Sequence, residues 1–131
     1  MVGILLVTHD GLGDSLVDCV KHVLGEVPRN LRSLSVHAAD DPQQKLVEGE
    51  ELVKELDTGG GVLILTDMYG ATPSNIGRQL CRMECVHGVA GVNLPMLLRV
   101  ASRTGLTLPE LANAAVQGGR DCIVHMNNEL G

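Results

Sequence analysis

The stretch GILLVTHDGLGDS, Gly3–Ser15, runs from an unbroken apolar segment into a His-Asp-Gly sequence. A short continuous apolar run of this kind is typical of a strand buried on both faces of a parallel sheet. The same order recurs in GVLILTDMYGATPSN, Gly61–Asn75, where the apolar run gives way to Asp67 and then to small residues and a proline. The sequence therefore predicts two buried strands that each lead into an ionisable residue, His9 in the first and Asp67 in the second.

The rest of the chain alternates between apolar runs and segments with helical periodicity. This alternation predicts a doubly wound α/β fold, with a mostly parallel sheet of order 2-1-3-4 and helices on both faces. Its length of 131 residues fits one domain spanning 1–131. The predicted strands are Val2–Thr8, Leu31–Val36, Val62–Thr66, about Val86–Val92 and Cys122–His125, and the predicted helices are about Asp14–Leu24, Pro42–Leu56, Pro73–Met83, Pro95–Ser102 and Pro109–Gln117.

Composition and charge exclude several classes of protein. The net charge is −6 and the ten Lys and Arg are scattered, which argues against a nucleic-acid partner. Tyr69 is the single aromatic residue, so base-stacking platforms are excluded too. The opening MVGILLV becomes polar after seven residues, too few for a signal peptide or a membrane span, so we expect a cytoplasmic chain.

Neither the cysteines nor the glycine clusters predict a metal or cofactor. Four widely spaced cysteines are interpreted as reduced thiols packed in the core, and Cys81 with Cys85 and His87 lacks a second ligand pair for a metal. GLG at Gly11–Gly13 lacks the third glycine and the ribose-binding acid of a dinucleotide fingerprint. We therefore expect no cofactor and no metal.

His9 and Asp67 are the candidate reactive pair. In sheet order 2-1-3-4 their strands are neighbours, and the carboxyl ends of parallel strands meet at one edge. An Asp that accepts the hydrogen of one ring nitrogen would leave the other nitrogen with a free lone pair, as a nucleophilic or basic histidine needs. The alternative is a histidine that merely caps a loop.

The segment GATPS, Gly70–Ser74, predicts an anion-binding helix start at the same edge. Thr72 as the N-cap and Pro73 at the first helical position would aim backbone N–H groups at this rim. A phosphoryl group on His9 would then meet donors from Thr72 and Ser74, while Gly70 and Ala71 allow a close approach. An ordinary capped helix without a ligand is the alternative.

Three segments carry a resemblance to a known family. ILLVTHDGLGDSL, GVLILTDMYGATPSN and VAGVNLPML resemble the enzyme IIA component, mannose family, of the bacterial phosphoenolpyruvate-dependent sugar phosphotransferase system. The resemblance covers nearly the whole chain. It implies that His9 accepts a phosphoryl group from phospho-HPr as a tele-phosphohistidine, that Asp67 orients its ring, and that the phosphoryl group passes to a IIB partner.

The resemblance also carries expectations about assembly and partners. It implies a homodimer in which the last strand, Cys122–His125, crosses to the partner's sheet as an antiparallel edge strand. No fused IIB domain follows in this sequence. We therefore expect a separate IIB protein or a regulatory target, with at most a peripheral contact to a membrane sugar permease.

The family loop often has Trp and Gly-Ser where this chain has Tyr69 and Ala71-Thr72, which affects the choice of partner. The nearer alternative to this family is the phosphoryl donor subunit of dihydroxyacetone kinase, and the more distant one is a non-catalytic regulatory module on the same fold.

We predict no partner for the remaining histidines, which are His22, His37, His87 and His125. His37 with Asp40 and Asp41 is interpreted as a helix cap rather than a metal site.

Overall fold

A computed structural model describes residues 1–130. In this part of the chain, four parallel strands form one sheet of order β2-β1-β3-β4, which confirms the predicted order. The strands are β1 Gly3–His9, β2 Leu31–Val36, β3 Val62–Thr66 and β4 Val86–Ala90. The helices are α1 Leu12–Leu24, α2 Pro42–Leu56, α3 Thr72–Leu80, α4 Leu94–Ala101 and α5 Leu108–Asp121, and a 3-10 helix spans Met126–Leu130.

Helices cover both faces of the sheet, and each face has its own apolar core. On one face, α1, α4 and α5 pack against the sheet around residues such as Leu6, Leu97 and Leu111. On the other, α2 and α3 pack around Leu5 and Ile76. Because alternate residues of the central strands serve opposite cores, β1 and β3 are apolar and fully buried along almost their whole length. Among residues 1–130, no helix has the length and apolarity needed to cross a membrane.

Three helix starts differ from the prediction by one residue: α3, α4 and α5 begin at Thr72, Leu94 and Leu108, each one residue before the predicted proline. Ala71 is the N-cap of α3 and Thr107 that of α5, so Pro73 and Pro109 occupy the second helical position rather than the first. At α5 the reason is a reciprocal cap: the Thr107 hydroxyl accepts the N–H of Glu110, whose carboxylate accepts the N–H of Thr107.

The predicted last strand is not formed in this single chain. The helix α5 continues four residues past the predicted end at Gln117, to Asp121. Cys122–His125 is then irregular, and its backbone bonds locally, with the Ile123 N–H donating to the Arg120 carbonyl at 3.1 Å. A strand needs a partner edge, and within residues 1–130 none pairs with this segment.

The core interpretation of the cysteines is wrong for three of the four. Cys19, Cys85 and Cys122 are exposed, and Cys81 is half-buried. Burial raises the pKa of the Cys81 thiol, which disfavours the reactive thiolate at that position. Apolar sequence context therefore failed to predict burial at these three positions.

Candidate functional site

The strand register brings His9 and Asp67 together at the carboxyl edge of the sheet. Val7 of β1 pairs with Thr66, the last residue of β3. Asp67 follows β3 directly, and His9 lies two residues beyond Val7 at the same edge of the sheet. The Nδ1 atom of His9 lies 2.8 Å from Oδ2 of Asp67. The contact expected from the neighbouring strand ends is therefore present.

Three N–H groups converge on the Asp67 carboxylate. Its Oδ2 accepts the backbone N–H of His9 at 3.1 Å in addition to the ring contact, and its Oδ1 accepts the backbone N–H of Met68 at 3.1 Å. Since an ionised carboxylate only accepts hydrogen bonds, Nδ1 of His9 must carry the proton. The free lone pair of the neutral ring is therefore on Nε2.

Exposure differs sharply within the pair. The His9 side chain is 45% exposed, whereas that of Asp67 is 9% exposed. Burial raises the pKa of the Asp67 carboxyl, but the hydrogen bonds from the His9 ring and from backbone N–H groups, together with the charge of His9, outweigh it. The net result is a pKa below the ordinary value of 3.8, so Asp67 is ionised at neutral pH. A largely enclosed carboxylate thus contacts the Nδ1 side of an accessible imidazole.

A cleft of about 380 Å³ opens beside His9. It lies between the starts of α2 and α3, with Pro42 on one side and Thr72 and Pro73 on the other. His37 also lines this cleft. The cleft has room for a tetrahedral group attached to His9.

His37 has a partner that we did not predict. Its Nδ1 atom lies 3.0 Å from Oδ1 of Asp10, so a second His–Asp pair lies beside the first. The predicted sheet order places β1 beside β2, but it does not give their register. His9 and Val36, the last residues of β1 and β2, are paired. The residues that come directly after them, Asp10 and His37, therefore lie next to each other.

The loop from Gly70 to Ser74 is held by one hydroxyl. Oγ of Ser74 accepts the N–H of Gly70 at 2.9 Å and the N–H of Ala71 at 3.1 Å, and it donates to the Ala71 carbonyl at 2.8 Å. Gly70 has φ of +88°, which glycine adopts without strain. The Ser74 side chain is therefore committed to the loop itself, and so are the N–H groups of Gly70 and Ala71.

Thr72 keeps the position expected of it at the cleft, although not as the N-cap. It is the first residue of α3 and it lines the cleft next to His9. The first N–H groups of a helix have no acceptor within the helix. In α3 these belong to Thr72 and Ser74, because Pro73 has no N–H and the Asn75 N–H already donates to the Ala71 carbonyl at 3.0 Å. They remain the donors through which α3 could meet an anion.

The aromatic residue of the loop lies on the surface. Tyr69 is 69% exposed, and the Arg78 guanidinium lies over its ring, 6.0 Å from the centroid.

Within residues 1–130, no group of three or more His, Cys, Asp or Glu side chains is arranged to hold a metal ion.

The sequence of residues 3–116 matches the family described as PTS system fructose IIA component, EIIA-man. The chain belongs to this family. The assignment rests on most of the chain, from the first residue of β1 to the middle of α5.

Two curated relatives of this EIIA chain are named for sugars. It is 28% identical over 123 residues to the mannose-specific EIIAB component of Escherichia coli strain K12, covering 92% of this chain and 38% of that protein. It is 30% identical over 103 residues to the sorbose-specific EIIA component of Lacticaseibacillus casei, covering 75% of this chain and 70% of that protein. The chain thus spans well under half of the two-part EIIAB relative.

Solved structures of EIIA proteins share the fold. An EIIA component from Streptococcus agalactiae superposes with a TM-score of 0.88 at 20% identity, covering 98% of this chain and 99% of that one. A mannose/sorbose-specific IIA subunit from Enterococcus faecalis superposes with a TM-score of 0.83 at 22% identity, covering 94% and 92% of the two chains. At these identities the likeness establishes the doubly wound fold.

Proposed function

We propose that this EIIA chain is a phosphoryl carrier of the sugar phosphotransferase system, with His9 as the acceptor. The phosphoryl group comes from phospho-HPr and passes to a separate IIB protein, or its presence on His9 is detected by a regulatory target. The exchange takes place in the cytoplasm, as membership of the family implies. The 2.8 Å contact between Nδ1 of His9 and Asp67 carries the proposal, because it leaves Nε2 as an accessible nucleophile.

The transfer step balances without a cofactor. The Nε2 lone pair of His9 attacks phosphorus, and the bond between phosphorus and the donor breaks with its electron pair going to the donor. The Nδ1 proton stays in place, so the phosphorylated ring carries a positive charge. The Asp67 carboxylate faces that charge, which lowers the free energy of the transition state and of the phosphorylated form.

Positioning is the protein's other contribution to phosphoryl transfer. The backbone N–H groups of Thr72 and Ser74 and the Thr72 hydroxyl are proposed as donors to the phosphoryl oxygens. Gly70 and Ala71 contribute by keeping the loop narrow rather than as direct donors, because the Ser74 hydroxyl already binds their N–H groups.

We also propose a homodimer in which the segment Cys122–His125 pairs with β4 of the partner. The support is an open sheet edge: Gly88 and Ala90 of β4 are exposed and border a groove of about 390 Å³. Isoleucine is usually buried in folded proteins, yet Ile123 is 75% exposed in the single chain. Exchange between two copies would cover the edge and this side chain together.

Incubation with enzyme I, HPr and phosphoenolpyruvate tests the carrier function. The wild-type chain should take up one acid-labile, alkali-stable phosphoryl group, as expected of a phosphoramidate. His9→Ala should take up none while keeping its circular dichroism spectrum.

The matched controls are His22→Ala, His87→Ala and His125→Ala, which should be labelled like the wild type. If His9→Ala is still labelled, His9 is not the acceptor. If the wild type is never labelled while HPr is active on another acceptor, the chain is a non-catalytic module on this fold.

A further inference from the structure

We propose that His37 is a second histidine of the phosphoryl site, and that its protonated ring donates a hydrogen bond to the phosphoryl group carried by His9. This rests on the proposed function of His9. His37 and His9 line the same cleft of about 380 Å³, and each ring is held through Nδ1 by an aspartate. His37 would therefore be a positioning and charge-stabilising residue, while His9 remains the acceptor.

One contact holds the His37 backbone and another holds its ring. Its backbone N–H donates to Oδ2 of Asp40 at 2.7 Å, and its Nδ1 lies 3.0 Å from Oδ1 of Asp10. Asp10 is itself held, because its N–H donates to the Val36 carbonyl at 3.0 Å. Asp10 also adopts φ of +44°, a conformation that is costly for a residue other than glycine and that keeps it at this corner of the sheet.

The proton on Nδ1 decides what His37 can do. With that proton shared with Asp10, the neutral ring has a lone pair on Nε2, which repels phosphoryl oxygens. A second proton turns Nε2 into a donor and gives the ring a positive charge. Arrival of a phosphoryl dianion on His9 should therefore draw a proton onto His37.

The other charged groups around this ring are already engaged. Asp40 also lies 3.7 Å from Nζ of Lys45, and Asp41 caps α2 by accepting the Gln43 N–H at 3.0 Å. The residues of α3 that line the cleft, Thr72 and Pro73, are uncharged. Among the residues that line the cleft in the described part of the chain, His37 is thus the basic side chain that can respond to a charge on His9.

Thermodynamic linkage turns this contact into a measurable pH effect. If the phosphoryl group raises the titration midpoint of the His37 ring by one pH unit, phosphoryl uptake is up to about tenfold more favourable at low pH than at high pH. For a dianion hydrogen-bonded to the ring, a charge separation taken as roughly 5 Å in a nearly aqueous medium corresponds to a shift of about one unit. Gln at position 37 keeps an N–H donor but cannot titrate, so it should abolish the pH dependence.

The test measures the imidazole titrations by ¹⁵N NMR with His9 free and phosphorylated. On phosphorylation the His37 midpoint should rise by about one pH unit. His22 is the internal control: it lies ten residues from the start of α1, about 15 Å along the helix, and should move by less than about 0.2 units. A rise at His37 no larger than that at His22 would overturn the proposal.

The equilibrium of phosphoryl exchange with HPr gives the second readout. Relative to the wild type, His37→Gln should lose up to about a tenfold change in the equilibrium constant between pH 6 and pH 8, whereas His22→Gln should behave like the wild type. A His37→Gln protein with the wild-type pH dependence contradicts the proposal.

The two proposals can fail separately. If phospho-HPr does not label His9, the carrier function is wrong. Phosphoramidate, a small phosphoryl donor that modifies histidine without a partner protein, still gives the phosphorylated ring for the NMR comparison.

Discussion

Replacing Asp67 by Asn removes the charge of the buried carboxylate and keeps its size. In the structure, Oδ2 accepts both His9 N–H groups and Oδ1 accepts that of Met68. An amide can place its oxygen on only one side. With its oxygen towards His9, the amide keeps both bonds to His9 and loses the one to Met68. With its NH₂ group towards His9, it keeps only the Met68 bond and places a donor against the His9 backbone N–H. We therefore expect the first orientation, in which His9 retains its Nδ1 proton and a free Nε2.

The size of the effect follows from these bonds. Hydrogen bonds to charged groups contribute about 1.5–3 kcal/mol and neutral ones about 0.5–1.5 kcal/mol, so each His9 bond weakens by roughly 1 kcal/mol. Met68 is exposed, so water can accept its freed N–H, and the two weakened His9 bonds give a loss of roughly 2 kcal/mol in the free energy of unfolding. Only the ring bond faces the charge that develops during transfer, so the rate should fall about 5- to 30-fold, equivalent to ~1–2 kcal/mol.

Three measurements test this prediction for Asp67→Asn. Urea unfolding gives the stability, rapid-quench transfer from phospho-HPr gives the rate, and ¹⁵N NMR gives the tautomer of His9. Asp18→Asn, an exposed position on α1, is the control with the same change of charge. The reasoning is refuted by an unchanged rate, or by a ring with the proton on Nε2 and a loss beyond about a thousandfold, which is the range of a wrong tautomer.

Three further predictions concern stability and assembly. A Cβ at Gly13 would lie 2.8 Å from Oγ1 of Thr8, which already accepts the Gly13 N–H, so Gly13→Ala should lower the free energy of unfolding by about 1–3 kcal/mol; an unchanged urea midpoint would contradict this. Because the folded-state pKa of Asp67 is lowered, its contribution is complete above the ordinary value of 3.8 and is lost as pH falls through the folded-state pKa. The stability difference between wild type and Asp67→Asn should therefore shrink as the pH falls below 3.8, and a constant difference would exclude the linkage. Deleting residues 122–131 should turn a dimer into a monomer in analytical ultracentrifugation, and a truncated chain that remains dimeric would rule out strand exchange.

The sheet and the central pair were predictable because they depend on strong local signals. Apolar runs as short and continuous as those of β1 and β3 are typical of strands covered on both faces. Once these strands are neighbours, the ends of parallel strands bring His9 and Asp67 to one edge. Neither step requires knowledge of side-chain packing.

Other features depended on geometry that periodicity does not contain. The Ser74 hydroxyl reaches back to Gly70 and Ala71 only because the loop turns at a positive φ, so the cap moved from the expected Thr72 to Ala71. The contact between His37 and Asp10 requires the residue-by-residue register of β1 and β2. The segment Cys122–His125 has a strand-like composition, but strand formation needs an edge to pair with.

The Ser74 hydroxyl has a consequence for the direction of transfer. Its three hydrogen bonds fix the loop from Gly70 to Ala71 before any phosphoryl group arrives. In the proposed carrier function, little reorganisation of this loop is then needed either to accept the group or to release it. A carrier of this kind does not impose a direction on the flow of phosphoryl groups. Under the proposed function, the ratio of phosphorylated to free partner on each side would set the net flux, and reversing that ratio would reverse the flow.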